Sequence, residues 1–165
     1  MKDKVFLVGF MGCGKTTVGK LLAKKMGRPF FDVDREVEQN EGKKVSEIFA
    51  ESGEEHFRSL ETEWIKSVCK GKKAVVSGGG GCFCRPQNRE IIKKNCTTVY
   101  LEAEFETLLE RILKDNDRPL AQNLEELHSL FDQRIQDYEK TDFSVRIDDR
   151  SPLEIVEEII KVIGE

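Results

Sequence analysis

Val5-Phe6-Leu7-Val8-Gly9-Phe10-Met11-Gly12-Cys13-Gly14-Lys15-Thr16 decides the reading of this chain. An apolar run passes directly into G-x-x-x-x-G-K-[ST], and a helical pattern opens at Lys15, so the order is strand, glycine loop, helix. In that context the glycines let consecutive backbone N–H groups curl around an anion. Lys15 can reach β- and γ-phosphates, and the Thr16 hydroxyl can take a place on Mg²⁺. The helix opening at Lys15 adds its N-terminal dipole. The competing dinucleotide signature, G-x-G-x-x-G beginning at Gly12, fails because position 17 is Thr17.

Outward from this loop, strand patterns at 4–9, 29–33, 73–77, 97–101 and 142–147 alternate with helical spacing. That is the βαβ rhythm of an α/β chain with a parallel sheet. Gly27 is placed to stop the first helix and Gly71 the one ending Val68-Cys69-Lys70. Ser151-Pro152-Leu153-Glu154 supplies an N-cap, a first-turn proline and a capping-box glutamate. Two segments exceed a minimal crossover: 35–70, which holds two or three helical pieces, and the polar stretch 114–123. Extra pieces at the carboxyl ends of strands are where open α/β sheets bind ligands, and such loops act as lids.

Composition bounds the function. The 165 residues are 38% hydrophobic and 35% charged, which suits one domain with a real core, and the net charge of −4 leaves no large basic face for a polyanionic backbone. No nucleic-acid partner is expected. No apolar stretch approaches the ~18 residues of a membrane span, so a soluble, cytoplasmic protein without a membrane partner is expected. Five cysteines, at 13, 69, 82, 84 and 96, form no C-x-x-C pair, and reduced thiols are expected rather than disulfides or zinc. Cys82-x-Cys84 alone makes a poor chelate. Cys13 needs only its backbone amide for anion binding.

The second strand ends Phe30-Phe31-Asp32-Val33-Asp34, and positions i and i+2 of an extended segment point to the same side. For phosphoryl transfer, one carboxylate would help to hold hydrated Mg²⁺ and the other would accept the proton of an attacking hydroxyl. Strand 73–77 ends in Ser77 where many phosphate-loop proteins carry a magnesium-directed aspartate, which leaves Asp32 as the metal candidate. The run Gly78-Gly79-Gly80-Gly81 lets a ligand approach the backbone closely and meet N–H donors. Arg58, with Glu61 three residues on to orient it, and Arg134 are candidate receptors for a substrate carboxylate, although each taken alone reads more readily as a solvated surface ion pair. Phe49 and Phe57 read as core, while His56, His128 and Trp64 carry no interpretable pattern.

Taken together, the phosphate loop, Asp32-Val33-Asp34, Phe57-Arg58, the glycine run before Cys82, Arg118-Pro119-Leu120, and Arg134 four residues before Tyr138 resemble the shikimate kinase family over nearly the whole chain. The resemblance implies a single three-layer α/β/α domain over 1–165 with a five-stranded parallel sheet, of the phosphate-loop, nucleoside-monophosphate-kinase-like group. It implies a substrate-binding helical region over about 35–62 and a lid over about 112–124. The reaction implied is transfer of the γ-phosphate of ATP to the 3-hydroxyl of shikimate, toward chorismate and the aromatic amino acids. ATP and shikimate would be the partners of a monomer, with Mg²⁺ as cofactor.

Residue roles carried by the resemblance are specific. Asp34 would be the base and touch the substrate hydroxyls; Arg58 and Arg134 would clamp its carboxylate; Gly79, Gly80 and Gly81 would hold the ring. Gly12, Cys13, Gly14, Lys15, Thr16 and Thr17 would bind ATP, with Arg111 and Arg150 bordering the adenine. Lys15 and Arg118 would neutralise the migrating phosphoryl group, and Thr16 and Asp32 would organise the metal. Two other readings stay open on the residues alone: a gluconate- or nucleotide-kinase-like enzyme of the same fold, and a non-catalytic ATP sensor.

Overall fold

The computed structural model describes residues 2–115 and 123–165. Five strands form one parallel sheet in the order β2-β3-β1-β4-β5: β1 (Lys4–Val8), β2 (Phe30–Asp32), β3 (Ala74–Ser77), β4 (Thr97–Glu102) and β5 (Phe143–Arg146). These are the five expected strands, trimmed or extended by one or two residues. Burial explains their patterns. Central β1 is apolar on both faces because both are covered, and Val5, Phe6, Leu7 and Val8 are each at most 3% exposed. Edge strand β5 alternates instead, with only Val145 buried.

Helix α1 (Lys15–Met26) connects β1 to β2 and packs beside α8 (Pro152–Ile163) on one face. On the other lie α4 (Glu54–Lys70) and α5 (Pro86–Asn95), which pack together, as right-handed crossovers in opposite directions along the sheet require. Helices α6 (Phe105–Lys114) and α7 (Leu124–Tyr138) follow β4. Gly27 ends α1 in the left-handed conformation, φ 62°, its N–H donating to the Ala23 and Lys24 carbonyls. Gly71 also ends its helix, but in an extended conformation, φ −76°. The expected capping box at Ser151 and Glu154 opens α8.

The expected helical region resolves into α2 (Val33–Glu41), α3 (Val45–Ser52) and α4. It has a small apolar cluster of its own, Val37, Ile48 and Phe57, with Trp64 bridging to the main core. Phe57 is core as expected, whereas Phe49 is 37% exposed and packs on the Phe57 ring at 5.2 Å. One expectation needs correction. Asp34 does not follow Asp32 along a strand; it lies in the first turn of α2. The Asp32 side chain caps that helix, accepting from the Arg35 N–H at 3.3 Å, so the backbone turns helical at Val33 before alternation can operate. Of the expected lid, only the ends are described, in the last turn of α6 and the Asn123 cap of α7.

Candidate active site

Gly12 (φ 82°) and Gly14 (φ 87°) take left-handed conformations that side chains resist, and these bend Gly9–Lys15 into a loop at the carboxyl end of β1. Gly14 caps α1 without a side-chain hydrogen bond, so the first N–H groups of the helix are left for an anion. The Cys13 thiol is 1% exposed and turned toward Gly9, where a Cβ would lie 2.6 Å from its sulfur. Lys15 Nζ donates to the Gly9 carbonyl at 2.6 Å and the Phe10 carbonyl at 3.2 Å, which holds the ammonium at the loop mouth. From α6, Arg111 donates to the Gly12 carbonyl at 3.4 Å.

Thr16 Oγ1 donates to Asp32 Oδ2 at 3.1 Å. A hydroxyl and a carboxylate, side by side, are the hard oxygen donors that Mg²⁺ takes beside nucleotide phosphates, so these residues fit the ion the sequence implies. Both line a cleft of about 690 Å³ with Lys15, Thr17, Arg111, Asp34 and Gly79. Asp34 Oδ1 sits so near Gly79 that a Cβ there would be 2.9 Å away. Burial, and then the Asp32 charge, push the Asp34 carboxyl above the usual carboxylate range, against the opposing pull of Lys15 and Arg58.

Beyond Asp34 the site is made of guanidinium groups and glycine backbone. Arg58 Nη1 donates to both oxygens of Glu61, at 3.1 and 3.2 Å, and the Glu61 side chain is wholly buried. A Cβ on Gly80 would meet Arg134 Nη1 at 2.7 Å, and one on Gly81 would meet Arg58 Nη2 at 2.8 Å and Arg134 Nη2 at 3.2 Å. The four glycines therefore divide. Gly78 packs on the Phe6 ring, where a Cβ would lie 2.8 Å from it, while Gly79, Gly80 and Gly81 face the functional side chains.

The expected residues gather in or beside this cleft, Arg58, Gly81 and Arg134 through the glycine turn rather than as cleft lining, while Arg150 and Arg118 stand apart. Arg150 does not line the cleft; its guanidinium donates to the Arg146 and Glu154 carbonyls. Arg118 lies outside the described residues. Sequence reasoning missed the support beneath the glycine turn. Buried Asn88 accepts from Thr62 Oγ1 at 2.7 Å and donates to the Cys82 carbonyl at 3.2 Å. The Tyr138 hydroxyl donates to the Gly80 carbonyl at 2.5 Å, and Arg89 joins the Phe83 and Cys84 carbonyls to Asp137. These partners are 26 to 58 residues apart where α4 or α7 is involved, and no local spacing signals them.

Comparison with known proteins gives a consistent result. The sequence profile described as shikimate kinase matches residues 11–164. The shikimate kinase of Persephonella marina is 44% identical over 157 residues, covering 94% of this chain and 96% of that one. Among solved structures, the shikimate kinase of Aquifex aeolicus superposes with a TM-score of 0.89 at 38% identity, covering 98% of this chain and 96% of the other. The shikimate kinase of Acinetobacter baumannii in complex with shikimate gives 0.90 at 33% identity, covering 98% and 92%.

Proposed function

This chain belongs to the shikimate kinase family, and from that premise we infer how its residues carry out the ATP-dependent phosphorylation of shikimate. The observation that carries the reading is the position of Asp34. Its carboxylate lines the same cleft as Lys15 and the phosphate loop, and touches the glycine run that leads to Arg58 and Arg134.

Asp34 accepts the proton of the 3-hydroxyl as that oxygen attacks the γ-phosphorus. The bond to the β-phosphate bridging oxygen breaks on the opposite side, and ADP departs. A carboxylate raised by burial is better matched to proton transfer than an ordinary one. Loop amides and Lys15 hold the phosphates, and Arg118 joins Lys15 in balancing charge as the phosphoryl group moves. Arg58 and Arg134 grip the substrate carboxylate, while the Gly79–Gly81 backbone keeps the ring close. Thr16 and Asp32 would hold Mg²⁺, which would supply positive charge to the phosphate oxygens. Arg111 borders the nucleotide beside Gly12.

Two guanidinium groups beside an acceptor pocket favour an anionic ring acid over a neutral sugar. A cytoplasmic monomer belongs to the same proposal, and light scattering near 18.9 kDa checks its mass. The decisive experiment is ADP release with Mg²⁺-ATP and shikimate, quinate, gluconate or nucleoside monophosphates as acceptors. Shikimate should exceed the nucleoside monophosphates, which bring no carboxylate to Arg58 and Arg134, by about 10²-fold or more in kcat/KM, and should exceed quinate and gluconate, which do bring one, by the smaller margin that ring fit supplies. Faster turnover of gluconate or a nucleotide would overturn the assignment.

A further inference from the structure

Helix α4 ends and β4 begins at the amino-terminal edge of the sheet, opposite the cleft. There two sulfurs meet: Cys69, in the last turn of α4, and Cys96, which caps α5, lie with their Sγ atoms 4.0 Å apart. Both are buried, Cys69 at 8% and Cys96 at 0% exposure, and all five cysteines are free thiols. Lys4, itself 7% exposed at the start of β1, sets a positive charge near both.

We propose that Cys69 and Cys96 form a redox-responsive pair that closes to a disulfide when the protein meets a hydroperoxide.

The chemistry is set by which thiol ionises. Cys69 is the less buried of the two, and the contact with Cys96 together with the Lys4 charge pulls its pKa down, so Cys69 is the thiol that a peroxide meets first. Burial raises Cys82 and takes Cys84 up to about 11. The Cys69 thiolate attacks one peroxide oxygen, the O–O bond breaks, and a sulfenic acid and hydroxide form. The Cys96 sulfur then attacks that sulfur, the S–O bond breaks, and a second hydroxide leaves. With the two thiol protons the products are one disulfide and two waters; the thiols are oxidised by two electrons and the peroxide is reduced by two. The sulfurs must close by about 2 Å from their 4.0 Å separation.

Partners 27 residues apart enclose β3, the glycine run and α5 in one covalent loop. Closing it restricts the unfolded chain, and the expected rise in Tm is about 5–10 °C for a domain of this size. Catalysis should be unaffected, because the clip and the cleft lie at opposite strand ends.

The test treats the full protein with hydrogen peroxide and then counts thiols in denaturant, maps linked peptides by mass spectrometry, and measures Tm. Expected are three free thiols instead of five, a Cys69–Cys96 linked peptide, the rise in Tm, and return of all three to the untreated values with dithiothreitol. Cys96→Ser and Cys69→Ala should show neither linkage nor stabilisation; the wild-type peptide map stands even if a variant folds poorly. Five thiols after treatment, a linkage between other cysteines, or sulfinic acid on Cys69 without linkage would overturn the proposal.

Discussion

The two halves of the site are built by different physics. The nucleotide half is a backbone device: Gly9–Thr16 is contiguous, two glycine dihedral angles shape it, and no side chain caps the N–H groups where α1 begins. The acceptor half is a side-chain device assembled from α2, α4, the glycine turn and α7, and beside the local Arg58–Glu61 pair it relies on polar contacts between residues distant in sequence. A loop made from neighbours can be broken by one methyl group. A cradle made from distant partners is broken by removing a charge or the group that holds it.

Asp34 stands where the halves meet and should show the largest effect. Asp34→Asn keeps the shape of the side chain and removes the base, so turnover should fall by at least about 10²-fold while ATP affinity stays within about twofold. Steady-state kinetics beside direct ATP titration checks this. Unchanged turnover would take Asp34 out of the mechanism.

Arg58→Ala comes next and should separate the halves. KM for shikimate should rise by about tenfold or more with KM for ATP nearly constant, since a lost charge-assisted contact is worth about 1.5–3 kcal/mol. The same change strands Glu61 with its side chain wholly buried, and stability should drop by about 3 kcal/mol in urea unfolding. Equal weakening of both substrates would count against a carboxylate clamp.

That contrast also explains what the sequence discloses. The phosphate loop, the five strands and the Ser151 capping box are legible because each signal sits within a few adjacent residues. The Arg58–Glu61 fork is legible because three residues bring side chains to one helix face. The start of α2 is not, because the Asp32 cap competes with strand alternation over the same residues and wins. Asn88 beneath Cys82, Tyr138 on Gly80 and the Cys69–Cys96 contact depend on how whole helices dock, and nothing in their local spacing encodes it.

Gly12→Ala probes the backbone device. At φ 82° a Cβ is strained, and it would also press on Ile112 at 3.1 Å and the Leu108 carbonyl at 3.3 Å. A left-handed alanine costs about 1–2 kcal/mol, so KM for ATP should rise about tenfold while shikimate binding, read by fluorescence titration without nucleotide, holds. Loss of both together would mean the halves are coupled through α6.

Glu61→Gln asks how much of the acceptor half is held by charge, and it should be the mildest change. Glutamine keeps one acceptor for Arg58 and loses the other, so KM for shikimate should rise about threefold, the worth of one ordinary hydrogen bond. Stability carries the sharper signal. Burial raises the Glu61 pKa above its ordinary 4.5 despite Arg58, so the folded protein holds that proton more tightly than the unfolded chain. The stabilisation that protonation brings is complete below the unfolded pKa and is lost as pH rises through the folded one. Measured by urea unfolding across that range, Glu61→Gln should therefore gain stability relative to wild type as pH increases. If wild type gains instead, the ion pair outweighs its own burial, and the acceptor half is held together by charge more firmly than by packing.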